Sequence, residues 1–222
     1  WLLNPDARQL LLKPFLVDAF PADRSHRERR AKLAKHYGLA VDQPWLIAVA
    51  MMRLGDKSRS YSMLAQSLSL IEDLPWQIIL VGDGPARTEI EKAFASVAQQ
   101  RVCFCGQLDP VATADLLTAA DLFTWPAMNE AFGMAILEAH RHGLPVVAGY
   151  TDGVASLVND GQTGLLTRPP EPVVFASAIR KLLEDPDLRR RMALSARDKF
   201  LEQHDFDAAA SRIQQFLLQV RP

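Results

Sequence analysis

What most constrains the fold of this 222-residue chain is a series of short, unbroken apolar runs. Trp45 to Ala50 reads WLIAVA, and Trp76 to Val81 reads WQIILV. Arg101 to Cys105, Asp121 to Trp125, Pro145 to Ala148 and Gly164 to Thr167 continue the series. Runs without polar alternation belong to strands buried on both faces. Between them lie helical patterns at Tyr61 to Ile71, Ala86 to Ala98, Pro110 to Ala119 and Phe132 to His142. Strand and helix alternating through short connections predict βαβ units, and right-handed crossovers wind helices onto both faces. The expected fold class is α/β: a Rossmann-like, doubly wound, six-stranded parallel sheet followed by C-terminal helices.

The two ends differ from this middle. Ala22 to Tyr37 has the pattern of a charged amphipathic helix before the first strand. After Arg168-Pro169-Pro170 only helices are expected: Val173 to Glu184, Leu188 to Gln203 and Ala208 to Val220, punctuated by Asp185-Pro186-Asp187. No repeat, low-complexity tract or interdomain linker interrupts the chain. We expect one domain over residues 1–222, with 1–22 an entry segment and 206–222 a terminal helix. The first residue is Trp1 rather than Met, which suggests a fragment.

Composition narrows the function classes. Hydrophobic residues make up 49% and charged residues 23%, the profile of a soluble globular protein. A net charge of -1 argues against a dedicated nucleic-acid binder. The basic runs Arg24 to Lys35 and Arg189 to Arg191 lie in acid-containing helical patterns and read as solvated faces. Cys103 and Cys105 would share one face of a strand, and no further cysteine completes a zinc site. They read as reduced core residues of an intracellular protein, which makes the expected location cytoplasmic. No run of 18 apolar residues and no signal peptide occur.

Ligands of an open parallel sheet bind beyond the carboxyl ends of its strands, where strand order reverses. Four loops reach that edge. Met52 to Ser58 puts Arg53 and Lys57 on a glycine-containing turn, which suits a diphosphate or is simply a solvated loop. Gly82-Asp83-Gly84-Pro85 lacks the third small residue of a dinucleotide fingerprint, because Arg87 occupies that position. It reads as a tight turn with Pro85 at a helix start. In the third loop Glu130 precedes a helix and Glu138 lies within it. The N–H groups around Phe132, Gly133 and Met134 would be the free donors of that helix start and would face any anion above the sheet. Eight residues of pure helix would hold the two carboxylates about 12 Å apart. That is too far for a glycosidase acid–base pair, which needs roughly 5–9.5 Å. Glu138 stands among Ala135, Ile136, Leu137 and Ala139, where a carboxylate seldom lacks a partner. In the fourth loop, Ala148 to Gly153, the glycines would let a ligand approach the backbone.

Glu130 to Glu138 resembles the E-x7-E motif of retaining glycosyltransferases of the GT-B architecture, group 1. Gly143 to Ala148 resembles that family's G-x-P-V-V-A strand, and Asp160 to Leu166 its D-G-x-T-G-L-L turn. Val81 to Pro85 resembles its V-G-x-G-P turn, and Arg53 with Lys57 its phosphate clamp. The likeness runs from about Leu12 to Phe200. It implies one half of a GT-B fold, the donor-binding half, with an acceptor-binding N-terminal domain missing from this chain. A peripheral membrane contact, if there is one, would go through that other domain. The implied donor is a nucleoside-diphosphate sugar, transferred with retention of configuration and without cofactor or metal.

By the same likeness Glu130, Arg53 and Lys57 are catalytic, the two cations binding the diphosphate. Glu138 accepts from the ribose hydroxyls, and Phe132, Gly133, Met134 and Gly106 complete the substrate site. The sequence departs from the family in three places. Lys57 follows Arg53 by only four positions, Ser58 replaces a glycine, and Ser156 stands where glutamate is usual. The alternatives are a sugar-nucleotide epimerase on the same scaffold and a nucleotide-sugar-binding module without catalysis. A nicotinamide dehydrogenase is disfavoured by Arg87.

Overall fold

The computed structural model describes residue 10, residues 12–16 and residues 26–219. Most of the expected entry segment, the start of the first helix and residue 220 onward lie outside these. Among the described residues the order is α1 His26–Tyr37, β1 Trp45–Val49, α2 Asp56–Ser69, β2 Gln77–Val81, α3 Arg87–Ala93, β3 Val102–Gly106, α4 Pro110–Ala119 and β4 Leu122–Trp125. There follow α5 Met134–Arg141, β5 Val146–Gly149, α6 Asp152–Leu157, β6 Gly164–Thr167, α7 Pro172–Glu184, α8 Pro186–Gln203 and α9 Phe206–Gln219. The six strands form one parallel sheet in the order β3-β2-β1-β4-β5-β6. The order reverses between β1 and β4, so the crevice above that pair is the topological switch point.

All six apolar runs are strands, because only a two-sided cover of helices can bury them. Every residue of β2, β4 and β5 is buried, as is nearly all of β1. The edge strand β3 is half-buried along its length. Cys103 and Cys105 are therefore half-buried at the sheet edge, not core residues. The helix pattern expected to Ala98 ends at Ala93 and continues as two 3-10 turns.

The basic stretch before β1 is not a solvated face throughout. Arg29 and Arg30 are both buried. Arg30 donates to the carbonyls of Ala119 at 2.7 Å, Val41 at 3.0 Å and Gln43 at 2.5 Å, and pairs with Asp121 at 2.9 Å. Its guanidinium lies 4.1 Å from the centre of the Trp45 ring. Arg29 pairs with Asp115 at 3.1 Å. These bonds tie α1 to the amino ends of β1 and β4. Of the later basic run, Arg190 and Arg191 are exposed, while Arg189 caps α7 through the Leu182 carbonyl at 2.7 Å.

The Ala148–Gly153 segment is not an open loop. Thr151 accepts from Val154 N at 3.2 Å and caps the short helix α6. A Cβ on Gly149 would overlap the Pro126 carbonyl, and one on Gly153 the Ala131 carbonyl. These glycines admit the protein's own loop after β4 rather than a ligand. At the C-terminus, Ile213, Leu217 and Leu218 of α9 stay exposed and face an open groove of about 550 Å³ shared with Phe15 and Phe206. None of the described helices is long and apolar enough to cross a membrane.

Candidate functional site

Lys57 and Glu130 meet at the switch point. Lys57 sits in the first turn of α2, just beyond β1, a position that the helix dipole makes unfavourable for a cation. Its ammonium is paired with the Glu130 carboxylate, which supplies the missing counter-charge. Trp125 ends β4 beneath them. Its indole N–H donates to the same Glu130 oxygen at 3.3 Å, and its ring centre lies 5.3 Å from the Lys57 ammonium. Tyr61 stacks edge-on against Trp125 at 5.0 Å and fixes the ring from below.

The loop from Pro126 to Gly133 is held in a strained form. Ala127 and Asn129 have φ of 55° and 53°, a region that side chains normally avoid. Several bonds keep it there. Met128 N donates to Ser60 Oγ at 3.0 Å, Asn129 Nδ2 to Asp56 at 3.0 Å, and Thr151 Oγ1 to the Glu130 carbonyl at 2.8 Å. Backbone strain imposed by so many partners is typical of a loop that must present one side chain accurately.

Gly133 then turns the chain into α5 with φ 73°. A Cβ there would stand 3.0 Å from Ile136 Cδ1, so both the space and the dihedral call for glycine. Because α5 starts only at Met134, the pure-helix spacing expected between Glu130 and Glu138 does not apply. Among the described residues the N–H groups of Phe132, Gly133, Met134 and Ala135 have no acceptor. Phe132 is 58% exposed and Met134 41%, while Gly133 is buried. Met51 and Leu54, at the carboxyl end of β1, are exposed as well. The edge thus carries free donors within an apolar rim.

Glu138 lies one turn into α5 and is half-buried. No described side chain or backbone N–H bonds to its carboxylate. Burial pushes its pKa up, and the neighbouring charge of Arg141 only partly offsets this. A carboxylate that is desolvated without hydrogen-bond donors is destabilising until something supplies them.

The other expected residues lie further out. Arg53 is exposed and its guanidinium has no partner among the described residues, so it does not share the Lys57–Glu130 pair. Gly106 ends β3, two strand spacings or roughly 9–10 Å from β1. Its neighbours are Arg87 and Asp83, and its carbonyl accepts from Gly82 N at 2.8 Å. Ser58, in place of the family glycine, is buried within α2 and bonds back to the Gly55 carbonyl. Trp125, Thr151, Ser60 and Asp56 were not singled out from the sequence. Trp125 had a signal, since an indole closing a strand at the carboxyl edge seeks an acceptor for its N–H. No three His, Cys, Asp or Glu side chains gather among the described residues in a way that could cage a metal ion.

Comparisons with known proteins identify the family. The family model "Glycosyl transferases group 1" matches residues 27–199. The chain belongs to that family. It is 30% identical over 209 residues to the alpha-D-kanosaminyltransferase of Streptomyces kanamyceticus, covering 87% of this chain and 54% of that protein. It is 29% identical over 173 residues to the N-acetyl-alpha-D-glucosaminyl L-malate synthase of Bacillus anthracis, covering 78% and 44%. Among solved structures, sucrose-phosphate synthase from Thermosynechococcus elongatus is similar with a TM-score of 0.74 at 26% identity, over 87% of this chain and 48% of that one. HepE of Anabaena, in complex with UDP-glucose, shares the fold with a TM-score of 0.74 at 24% identity, over 87% and 53%. The chain thus spans about half the length of the curated relatives it matches.

Proposed function

We propose that this group 1 glycosyltransferase chain binds the donor, a nucleoside-diphosphate sugar, at the carboxyl edge of its sheet. Transfer then goes to an acceptor held by a second domain, with retention of configuration. The observation that carries this is the Lys57–Glu130 pair set beside the free N–H groups of the α5 start. A diphosphate is what such a start and a nearby ammonium accept together. On arrival it competes with Glu130 for Lys57, which frees the carboxylate to hold the sugar. Glu138, lacking any donor from the protein, takes two from the ribose hydroxyls. HepE, a protein of the same fold, holds UDP-glucose.

Catalysis on this proposal is electrostatic. Charge grows on the leaving diphosphate as the glycosidic bond breaks, and Lys57, Arg53 and the oriented N–H groups stabilise it. The acceptor attacks from the face the diphosphate leaves, and the departing phosphate oxygen takes the acceptor's proton. The exposed rim of Met51, Leu54, Phe132 and Met134 is where a second domain closes. The cations and the helix start do the neutralising, so no metal or cofactor is assigned. Thermal-shift measurements with UDP, GDP and ADP test the proposal. At least one should raise the melting temperature at millimolar concentration, and no shift with any of the three would remove its basis.

A further inference from the structure

The only two cysteines of the chain lie on the edge strand β3, away from the Lys57–Glu130 pair. Their sulfurs stand 3.6 Å apart and neither is in a disulfide. On a regular strand, side chains two residues apart rise from Cα atoms about 6.6 Å from one another. The close approach of these sulfurs has a local cause. Ile79 pairs with Cys103, Leu80 with Phe104, and Val81 with Gly106, so Cys105 is the extra, unpaired residue of a β-bulge. A bulge bends its strand and re-aims the side chain at that position. Here Cys105 is turned toward Cys103 on the face covered by Tyr37, whose carbonyl lies 3.9 Å from the Cys103 sulfur. Both cysteines are half-buried, so a small reagent reaches them.

We infer that Cys103 and Cys105 form a redox-active dithiol that closes to an intrachain disulfide by exchange with a low-molecular-weight disulfide. The Cys103 thiolate attacks one sulfur of the small disulfide, forming a mixed disulfide and expelling one thiolate. The Cys105 sulfur, losing its proton to solvent, then attacks the Cys103 sulfur and expels the second. Two protein thiols are oxidised by two electrons, and the small disulfide is reduced to two thiols. The contact between the two sulfurs holds the Cys103 pKa down, whichever of them donates, and Cys103 is taken as the first attacker. The same contact, and then burial, push Cys105 up. The bulge supplies the backbone give that closure needs. The strand that closes ends at Gly106, whose carbonyl holds Gly82 and so the turn beyond β2.

The chain is equilibrated in glutathione buffers from fully reduced to fully oxidised, trapped by alkylation, and weighed intact. The expected product is a monomer two hydrogens lighter that has lost both alkylatable thiols and recovers them in reduced buffer. Cys103→Ser and Cys105→Ser should each stop at a single glutathione adduct. A monomer carrying two glutathiones, a disulfide-linked dimer, or two thiols still alkylatable in oxidised buffer would each overturn the inference. None of these outcomes depends on what binds at the carboxyl edge.

Discussion

The two edges of the sheet are built on opposite principles. At the amino edge, Arg30 places four hydrogen bonds on three carbonyls and Asp121. Asp121 in turn accepts from Trp45 N at 2.8 Å, and the Trp45 indole donates to the Ala40 carbonyl at 2.8 Å. At the carboxyl edge, four N–H groups, the Glu138 carboxylate and the Arg53 guanidinium have no partner among the described residues. Two residues there hold positive φ, and apolar side chains face outward. On the proposed function, these unmet groups are the ones that meet the donor.

The largest expected effect concerns how much of a site the carboxyl edge is. On the proposed function it is half of one, and aligning two reactants is worth about 7–11 kcal/mol. This chain by itself should transfer labelled sugar to no acceptor at a measurable rate. Robust transfer, followed with radiolabelled sugar nucleotides and crude acceptor extracts, would show that the edge is complete without a partner.

Next comes the amino edge. Arg30→Leu takes the Arg30 donors from three carbonyls and leaves the Asp121 carboxylate with the Trp45 N–H but no cation. Removing one partner of a buried pair costs about 3–5 kcal/mol, so urea unfolding should shift by that amount. Nucleoside diphosphate affinity of the folded protein should not change. Loss of affinity with little loss of stability would reverse the roles assigned to the two edges.

A smaller effect separates the edges by pH. Helix α5 runs from one edge to the other. Burial first, then the charges of Lys199 and His204, hold His140 at about 3, and burial, then Arg141 and Arg29, hold His142 at about 4. Unfolded histidine titrates near 6.5. Below about pH 6.5 the unfolded chain binds protons the folded one refuses, so stability falls as pH drops toward 4, by up to about 1.4 kcal/mol per unit for each group. Glu138 acts the other way, because a raised carboxyl pKa returns stability as pH falls through it. Urea midpoints between pH 7.5 and 4.5 should decline, and His140→Leu should flatten the decline. An unchanged slope in that variant would remove His140 from the account.

The strands were legible because unbroken apolar runs have few other uses, and β6 and α4 fall where their patterns place them. At Glu138 the apolar setting was legible from Ala135, Ile136, Leu137 and Ala139, but the partner expected for its carboxylate is not found among the described residues. What escaped was nonlocal or very short. Arg30 lies 91 residues from Asp121, and Lys57 lies 73 from Glu130, so neither pair leaves a mark on its own segment. Helix α6 has six residues and contains Gly153, which local pattern assigns to a loop; the Thr151 cap was its one signal. The glycines of that segment were legible as close-approach positions, but not what approaches them. Gly106 was taken from family likeness alone, and the sheet order sets it two strands from the switch point.

The central claim is that the unmet groups of the carboxyl edge meet a nucleoside diphosphate, with Glu138 on the ribose. Calorimetry of Glu138→Ala against the unchanged protein, with the preferred nucleoside diphosphate and with inorganic pyrophosphate, tests it most directly. Hydrogen bonds to a charged group are worth about 1.5–3 kcal/mol. The nucleotide should therefore bind roughly 10- to 150-fold more weakly, while pyrophosphate binding stays as it was. Equal losses for both ligands, or no loss for either, would contradict the account.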